Sequence, residues 1–340
     1  MATFQGDQKT NGFGGKKSRQ DPFYIGKLMK IPITQSESWQ KLQDDLGEKS
    51  FFEKNDDFSY LAILKTTPVG NYLYCPYGPV AENKKNFEKS LDSLCKIGLE
   101  VGALFIRIEP TTPDFMKNLP KNTKNMKDIK GIKKSQDLNP KETWILDLKT
   151  TEEELKKKLP SRLFRYYRNA EKNGLKIEKT TNPEDIKYLI SLQKALADKK
   201  GINVFSEKYL KTEASQPFST IYLVKKDEEC LAAGLVFDDE NTRYNLQGAQ
   251  SEQGRNLHAT GILTIKLILD AYEKNLKTFD FWGIAPENAP KNHPWAGFTE
   301  FKKSFGGAPV EYAGDYDLIL KPLKYRFYEL FRKINRKIRR

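Results

Sequence analysis

Short runs of β-branched and aromatic residues alternate with amphipathic stretches along this chain, in its first half and again in its second. In the first half the β-type runs are Tyr60 to Leu64, Tyr72 to Cys75 and Ala103 to Ile108, with an amphipathic stretch over 86–97 between the last two. In the second half they fall at 220–224, 231–237, 243–248 and 278–283, with a long helix at about 259–275. That helix carries an apolar stripe of Ile262, Ile265, Leu269 and Tyr272. Strands separated by helices of this length build sheets with helices packed on their faces. A chain of 340 residues also exceeds one comfortable core. The expectation is α/β architecture in two lobes of similar size, joined near residue 149.

Local signals punctuate this pattern. A helix starts near Ser36, with Trp39, Leu42 and Leu46 on one face and Gly47 closing it. The run Trp144 to Leu148 reads as a strand, and Thr151 with Glu154 three residues on forms a capping box that opens a helix. Pro160 must interrupt that helix, because it lacks the N–H and crowds the preceding turn. A second helical piece runs from Ser161 to Asn173 and stops at Gly174. Residues 117–141 carry eight lysines against two aspartates, which suits a solvated loop or a phosphate-contacting one. Residues 1–20 are polar and Gly/Lys-rich, a loose tail.

Pro322 sits where one more helix would begin, and Leu323, Phe327, Leu330, Phe331, Ile334 and Ile338 follow at helical spacing. Eight Lys/Arg residues between 322 and 340 face one glutamate. Such a helix can lie on an anionic membrane surface, touch nucleic acid, or simply dock with a solvated basic face.

Charge narrows the partners. Lys and Arg total 58 against 45 Asp and Glu, a formal +13, which points to an anionic partner. No apolar run approaches the roughly 20 residues needed to span a bilayer, and the N-terminus has no apolar h-region, so a cytoplasmic protein is expected. Three cysteines far apart argue against a disulfide framework, and two histidines argue against a multi-histidine metal site.

Three segments can carry chemistry. In the helix after Pro160, Arg162, Arg165, Tyr166 and Asn169 share one face while Leu163, Tyr167 and Ala170 share the next. That sets guanidinium forks, suited to phosphate or carboxylate, beside an apolar anchor. Around the turn Tyr77-Gly78-Pro79, a phenol and the carboxylate of Glu82 are placed so that an amine could be oriented or deprotonated. The densest cluster runs from Phe279 through Trp282 and Gly283, then from Pro294 through Trp295, Phe298, Phe301 and Lys302 to Gly306-Gly307. A lysine held among aromatic rings is a preorganised cation for an oxyanion that develops in acyl transfer. The chain has no G-x-S-x-G elbow, P-loop lysine motif or G-x-G-x-x-G. Where an acetyltransferase would carry its coenzyme A pyrophosphate loop stands QGAQSEQGRN (Gln247 to Asn256), which does not fit it. Acetyl-coenzyme A is therefore not the expected donor.

With those segments in view, the chain resembles the FemABX family of peptidoglycan-bridge aminoacyltransferases from about Thr34 to Lys321. The resemblance rests on TQSESWQKLQDDLG, YCPYGPVAEN, ALFIRIEP, the WILDL strand with TEEEL, SRLFRYYRNAEKNGLKI, RYNLQGAQSE, FDFWGIAPE and HPWAGFTEFKKSFGG, in order. It implies two acetyltransferase-like (GNAT-type) lobes: residues 21–148 with a returning 312–340 in the first, 149–311 in the second. Between Ile177 and Thr220 there is no long coiled-coil insertion, so the chain looks like the arm-less members.

The resemblance implies transfer of an amino acid from aminoacyl-tRNA to the side-chain amine of a stem peptide, on lipid II or UDP-MurNAc-pentapeptide. No cofactor or metal is implied. Lys302, after Phe301, would stabilise the oxyanion. Arg162 and Tyr166, with Arg165 beside them, would hold the acceptor's phosphates, and Tyr77 and Tyr244 would line the acceptor groove. Glu82 stands as a base candidate and Lys41 as a further phosphate contact. A basic last helix would suit the inner face of the membrane. Two readings compete: a tRNA-dependent aminoacyltransferase acting on another peptide, protein or lipid amine, and a non-catalytic tRNA- or membrane-binding relative.

Overall fold

The computed structural model describes residues 24–25, 28–29, 31–117, 127–201 and 204–338. It divides into two units, Met1–Lys30 and Ile31–Arg340. In the first, β1 (Tyr24–Ile25) and β2 (Leu28–Met29) form a short antiparallel ladder; the tail expected over 1–20 lies outside the described residues. The second unit holds two seven-stranded mixed sheets with helices on their faces.

The first sheet runs in the order β3 (Ser50–Lys54), β4 (Phe58–Thr67), β5 (Gly70–Cys75), β7 (Phe105–Ile108), β16 (Tyr316–Ile319) and β8 (Gly131–Lys134), with β6 (Val80–Ala81) paired to β4. Helix α1 (Glu37–Asp45) begins where expected, with the Ser36 hydroxyl accepting from the Trp39 N–H at 3.2 Å. Helix α2 (Lys84–Glu100) lays Phe87, Leu91, Leu94 and Cys95 against Tyr60, Leu73 and Ile106 of the sheet. A short helix, α3 (Pro113–Lys117), follows β7.

The second sheet runs β10 (Leu175–Thr180), β11 (Ser219–Lys226), β12 (Glu229–Asp238), β13 (Thr242–Gln250), β14 (Thr278–Gly283), β9 (Glu142–Asp147) and β15 (Ala308–Glu311). Strand β11 is buried on both faces. Tyr222 and Val224 meet the core under α9 (Ala259–Glu273), while Ile221 and Leu223 meet α6 (Ile186–Lys200) and α7 (Glu207–Ala214). That second core also takes in Ile33, Trp39, Leu42 and Leu61, so the two lobes share apolar packing. The capping box of α4 (Glu152–Lys158) forms between Thr151 and Glu154, and Pro160 separates α4 from α5 (Ser161–Arg168). Helix α5 ends earlier than expected, at Arg168; the last turn is a 3₁₀ turn over Glu171–Asn173 closed by Gly174 at φ +71°.

The lobe boundary differs from the expectation. Strand β9, the Trp144 run, pairs with β14 on one side and β15 on the other, and Leu146 and Leu148 sit in the core under α9. The change of lobe therefore falls before Glu142 and not near 149, because the apolar faces of β9 are satisfied only between strands of the second sheet. After β15 the chain returns to the first sheet through β16. There Arg107 donates from Nε and Nη2 to the two oxygens of Asp317, at 2.7 and 2.8 Å, a buried bidentate pair. Helix α11 (Pro322–Ile338) follows at the expected place. Among the described residues, no helix is long and apolar enough to cross a membrane.

Candidate active site

Strands β13 and β14 form the parallel pair of the second sheet, but only over three residues, Thr242 to Tyr244 against Thr278 to Asp280. Beyond that they part. On the β14 side the register against β9 shifts between Asp280 and Gly283, and Trp282 takes a left-handed φ of +64°. For an aromatic side chain that conformation is costly, so the bulge is a built feature that aims the indole. Asn245 and Leu246 on one strand and Trp282 and Gly283 on the other line a cavity of about 230 Å³, completed by Pro140, Trp295, Phe298 and Lys302. A crevice at the carboxyl ends of parallel strands is where open α/β sheets bind ligands.

Lys302 comes to this cavity on α10 (Ala296–Lys303). Its Nζ donates to the Gly283 carbonyl at 2.6 Å and lies 5.3 Å from the centre of the Phe298 ring. Burial lowers its pKa to about 8, against the opposing pull of Asp280. Asp280 is buried at the base of the site, accepting from the Thr143 hydroxyl at 2.5 Å and from the Trp282 N–H at 2.8 Å. A half-buried ammonium that gives one of its three N–H groups to the Gly283 carbonyl retains donors for an incoming oxygen.

The first lobe reaches the Trp282 bulge. Tyr77, at φ +50° in its turn, stacks edge-on to Trp282 at 5.4 Å and lies 4.5 Å from the Tyr312 ring. Tyr244 meets Trp282 from the other side at 6.2 Å and donates its hydroxyl to Asp239 at 2.8 Å. Glu109 holds the turn in place: its carboxylate accepts from the Tyr77 N–H at 3.0 Å, from Asn139 at 2.9 Å and from the Tyr74 hydroxyl at 2.6 Å. Burial pushes both Glu109 and nearby Asp315 up, Asp315 also through repulsion by Glu109.

The basic stripe on α5 is built as expected. Arg162 Nε donates to the Tyr166 hydroxyl at 3.1 Å, and the Arg162 and Arg165 guanidiniums lie 5.6 and 5.8 Å from the Tyr166 ring. The Arg162 hydrogen bond, then its charge, lowers the phenol's pKa. The other ring face of Tyr166 is stacked on His258 at 4.5 Å. Leu163 and Tyr167 pack on the core, and Ala170 is buried, so the helix is anchored while its guanidiniums stay exposed.

The expected site residues therefore separate into groups. Lys302, Tyr77 and Tyr244 gather around the Trp282 bulge; Lys302 lines the cavity, while Tyr77 and Tyr244 are buried against the Trp282 ring outside the lining, their hydroxyls already engaged. Arg162, Arg165 and Tyr166 form their own stripe. Phe301 is not in the cavity lining and packs on the core under α9, 5.0 Å from Phe305. Glu82 is exposed just before α2 and is not part of the cavity wall; the buried acid on this side is Glu109. Lys41 is exposed on α1 and paired with Asp45 at 3.1 Å. Pro140, Asn245, Asp280 and Glu109 all lie in segments singled out from the sequence, with no role of their own assigned. For Asp280 a signal existed, as a lone acid between phenylalanines in an otherwise apolar strand; Pro140 and Glu109 join the site only through tertiary contacts.

Two mixed sheets, each with one parallel pair beside antiparallel strands, and a cavity where the second pair parts define a tandem acetyltransferase-like fold. The model of the FemAB family matches residues 210–333. The chain superposes on the crystal structure of FemX with a TM-score of 0.71 at 19% identity, covering 87% of this chain and 94% of that one. The C-terminal domain of a putative lysylphosphatidylglycerol synthetase from Agrobacterium fabrum gives 0.56 at 14%, over 84% and 88% of the two chains. L-PGS from Bacillus licheniformis gives 0.53 at 15%, over 90% and 98%. At these identities the likeness to the solved structures is one of fold. No curated protein matches the sequence. The described residues between β10 and β11 hold α6 and α7 and no coiled-coil arm.

Proposed function

We propose that this protein transfers an amino acid from aminoacyl-tRNA to the side-chain amine of a peptidoglycan stem peptide, carried on lipid II or UDP-MurNAc-pentapeptide. The observation that carries the reading is the Lys302 ammonium, oriented by the Gly283 carbonyl inside an aromatic cavity at the parting of β13 and β14. The tRNA ester is already activated, so the chemistry needs position and charge stabilisation more than a protein nucleophile. The neutral amine adds to the ester carbonyl, a C–N bond forms, and the carbonyl oxygen becomes an oxyanion facing Lys302. Collapse breaks the C–O bond to the ribose, which leaves with a proton, and the amine nitrogen loses one. Removing such a donor typically costs about 10²–10³ in kcat.

Arg162, Arg165 and Tyr166 supply the phosphate-binding chemistry that either acceptor requires. The +13 charge suits tRNA, whose binding weakens steeply with salt. No cofactor enters the scheme, and acetyl-coenzyme A is not the donor in this reading. The setting would be the cytoplasm, where both substrates are made.

The test supplies purified protein with a labelled pool of aminoacyl-tRNAs plus UDP-linked or lipid-linked muramyl pentapeptide, and mass spectrometry reads the stem peptide. An added residue establishes the reaction and the amino acid together. Transfer onto phosphatidylglycerol in place of the stem peptide would overturn the acceptor and keep the donor. One of the similar folds bears the name of a putative lysylphosphatidylglycerol synthetase, which makes that lipid the control to include.

A further inference from the structure

Helix α11 turns two faces in opposite directions. Tyr325 and Tyr328 are buried, with their rings 5.2 and 4.8 Å from Phe105, and Arg332 donates to Gln136 at 3.1 Å. These three lie on one side of the helix and hold it to the first lobe. On the opposite side, Leu323, Phe327, Leu330 and Ile334 form a row, 72%, 65%, 55% and 47% exposed. Lys324 borders this row on one flank, Arg326 and Lys333 on the other, and all three are exposed. Glu329, the one acid between 322 and 340, is paired with Lys133 away from the row.

Exposed apolar side chains scattered singly are ordinary, whereas four in an unbroken row over about three turns mark a binding surface. We infer that this face of α11 seats the protein on an anionic lipid bilayer. Apolar side chains at the centre enter the boundary between headgroups and acyl chains, roughly 5–10 Å deep. Lysine and arginine on the flanks reach the lipid phosphates with their stems still on apolar ground. Nucleic acid would call for cations along the centre of the face, where here the row is apolar. A second copy of the chain would bring cationic flanks against cationic flanks in a self-complementary contact. The pattern therefore favours lipid over both. Docking is independent of the acyl-transfer reading and can be read without donor or acceptor.

The test is co-sedimentation of the full chain with phosphatidylcholine vesicles, with and without phosphatidylglycerol. Binding to the mixed vesicles and not to the neutral ones is expected. The double variant Phe327→Glu, Leu330→Glu should bind at least roughly tenfold more weakly with an unchanged melting curve. Lys324→Glu with Lys333→Glu should weaken binding in the same direction. Should the double variant melt early, Leu323→Glu alone, at the most exposed position of the row, carries the same test. Wild-type protein that stays in the supernatant, or Glu variants that sediment like wild type, would overturn the inference. So would a dimer in light scattering that the same substitutions dissolve, or tRNA binding lost in step with them.

Discussion

Tyr77, in the first lobe, donates its hydroxyl to the carbonyl of Pro140 at 2.9 Å, and Pro140 is a wall of the cavity that holds Lys302. The phenol is 3% exposed, so its part in the site is to fix that wall. Tyr77→Phe leaves a half-buried carbonyl without its donor. A loss of about 1–3 kcal/mol in denaturant unfolding is expected, with a smaller fall in turnover than Lys302 variants give. An unchanged unfolding midpoint would show that the bond is not made.

The opposite face of Pro140 meets Gly283. A Cβ on Gly283 would lie 2.2 Å from Pro140 Cγ, and the proline ring has no flexible end to yield. Gly283→Ala must push Pro140 outward or shift the carbonyl that orients Lys302. Overpacking of this kind costs about 1–3 kcal/mol, and turnover should fall with it. Wild-type kinetics in Gly283→Ala would mean that the wall is softer than its packing indicates.

Much of this arrangement is legible before folding, and the part that is not has a common cause. Strands β11 and β12 announce themselves because both their faces are largely apolar, and α4 because Thr151 and Glu154 can cap only a helix start. The stripe of Arg162 and Tyr166 follows from helical periodicity alone. By contrast β8 reads GIKK and β10 reads LKIEKT; as polar edge or near-edge strands they look like loop. The lobe boundary is not legible locally because β9 is bonded to β14 and β15, both more than 130 residues away, and a strand's sheet is not written in its own residues. Glu82 is the acid nearest the Tyr77 turn in sequence. Glu109, 32 residues on, is the one that bonds to it.

Lys302→Met should lower turnover by about 10²–10³ and raise stability. The ordinary lysine pKa of 10.5 is lowered to about 8 here by burial. Between those values the unfolded chain holds more protons than the folded one, so stability rises with pH across that window. Below pH 8 the buried charge costs on the order of 3 kcal/mol, reduced by the group's partial exposure. The methionine variant should melt above wild type at pH 7, with the gap closing towards pH 10.5. An inactive variant that melts lower would indicate lost structure and not a lost cation.

Arg162→Ala is expected to raise the KM for the phosphate-bearing acceptor while leaving the fold within about 0.5 kcal/mol of wild type, as exposed positions generally do. Tyr166 loses the guanidinium that holds its phenol low, so its titration should move up towards that of an ordinary tyrosine. Measured KM values for acceptor and tRNA separate the roles. A rise confined to tRNA would move the stripe to the donor side.

Glu213 offers a prediction remote from the cavity. It is buried between α7 and β13, with Gln247 donating to it at 3.4 Å, and burial raises its pKa to about 8. Here the sign is opposite to that of Lys302. From pH 4.5 to 8 the folded chain holds more protons than the unfolded one, so this residue's contribution to stability declines as pH rises. Glu213→Gln keeps the shape and removes the charge. The variant should match wild type near pH 4 and exceed it by on the order of 4 kcal/mol at pH 8 or above. Unfolding curves at those two pH values decide it: a variant no more stable than wild type at pH 8 would mean that Glu213 is ionised and satisfied in the folded chain.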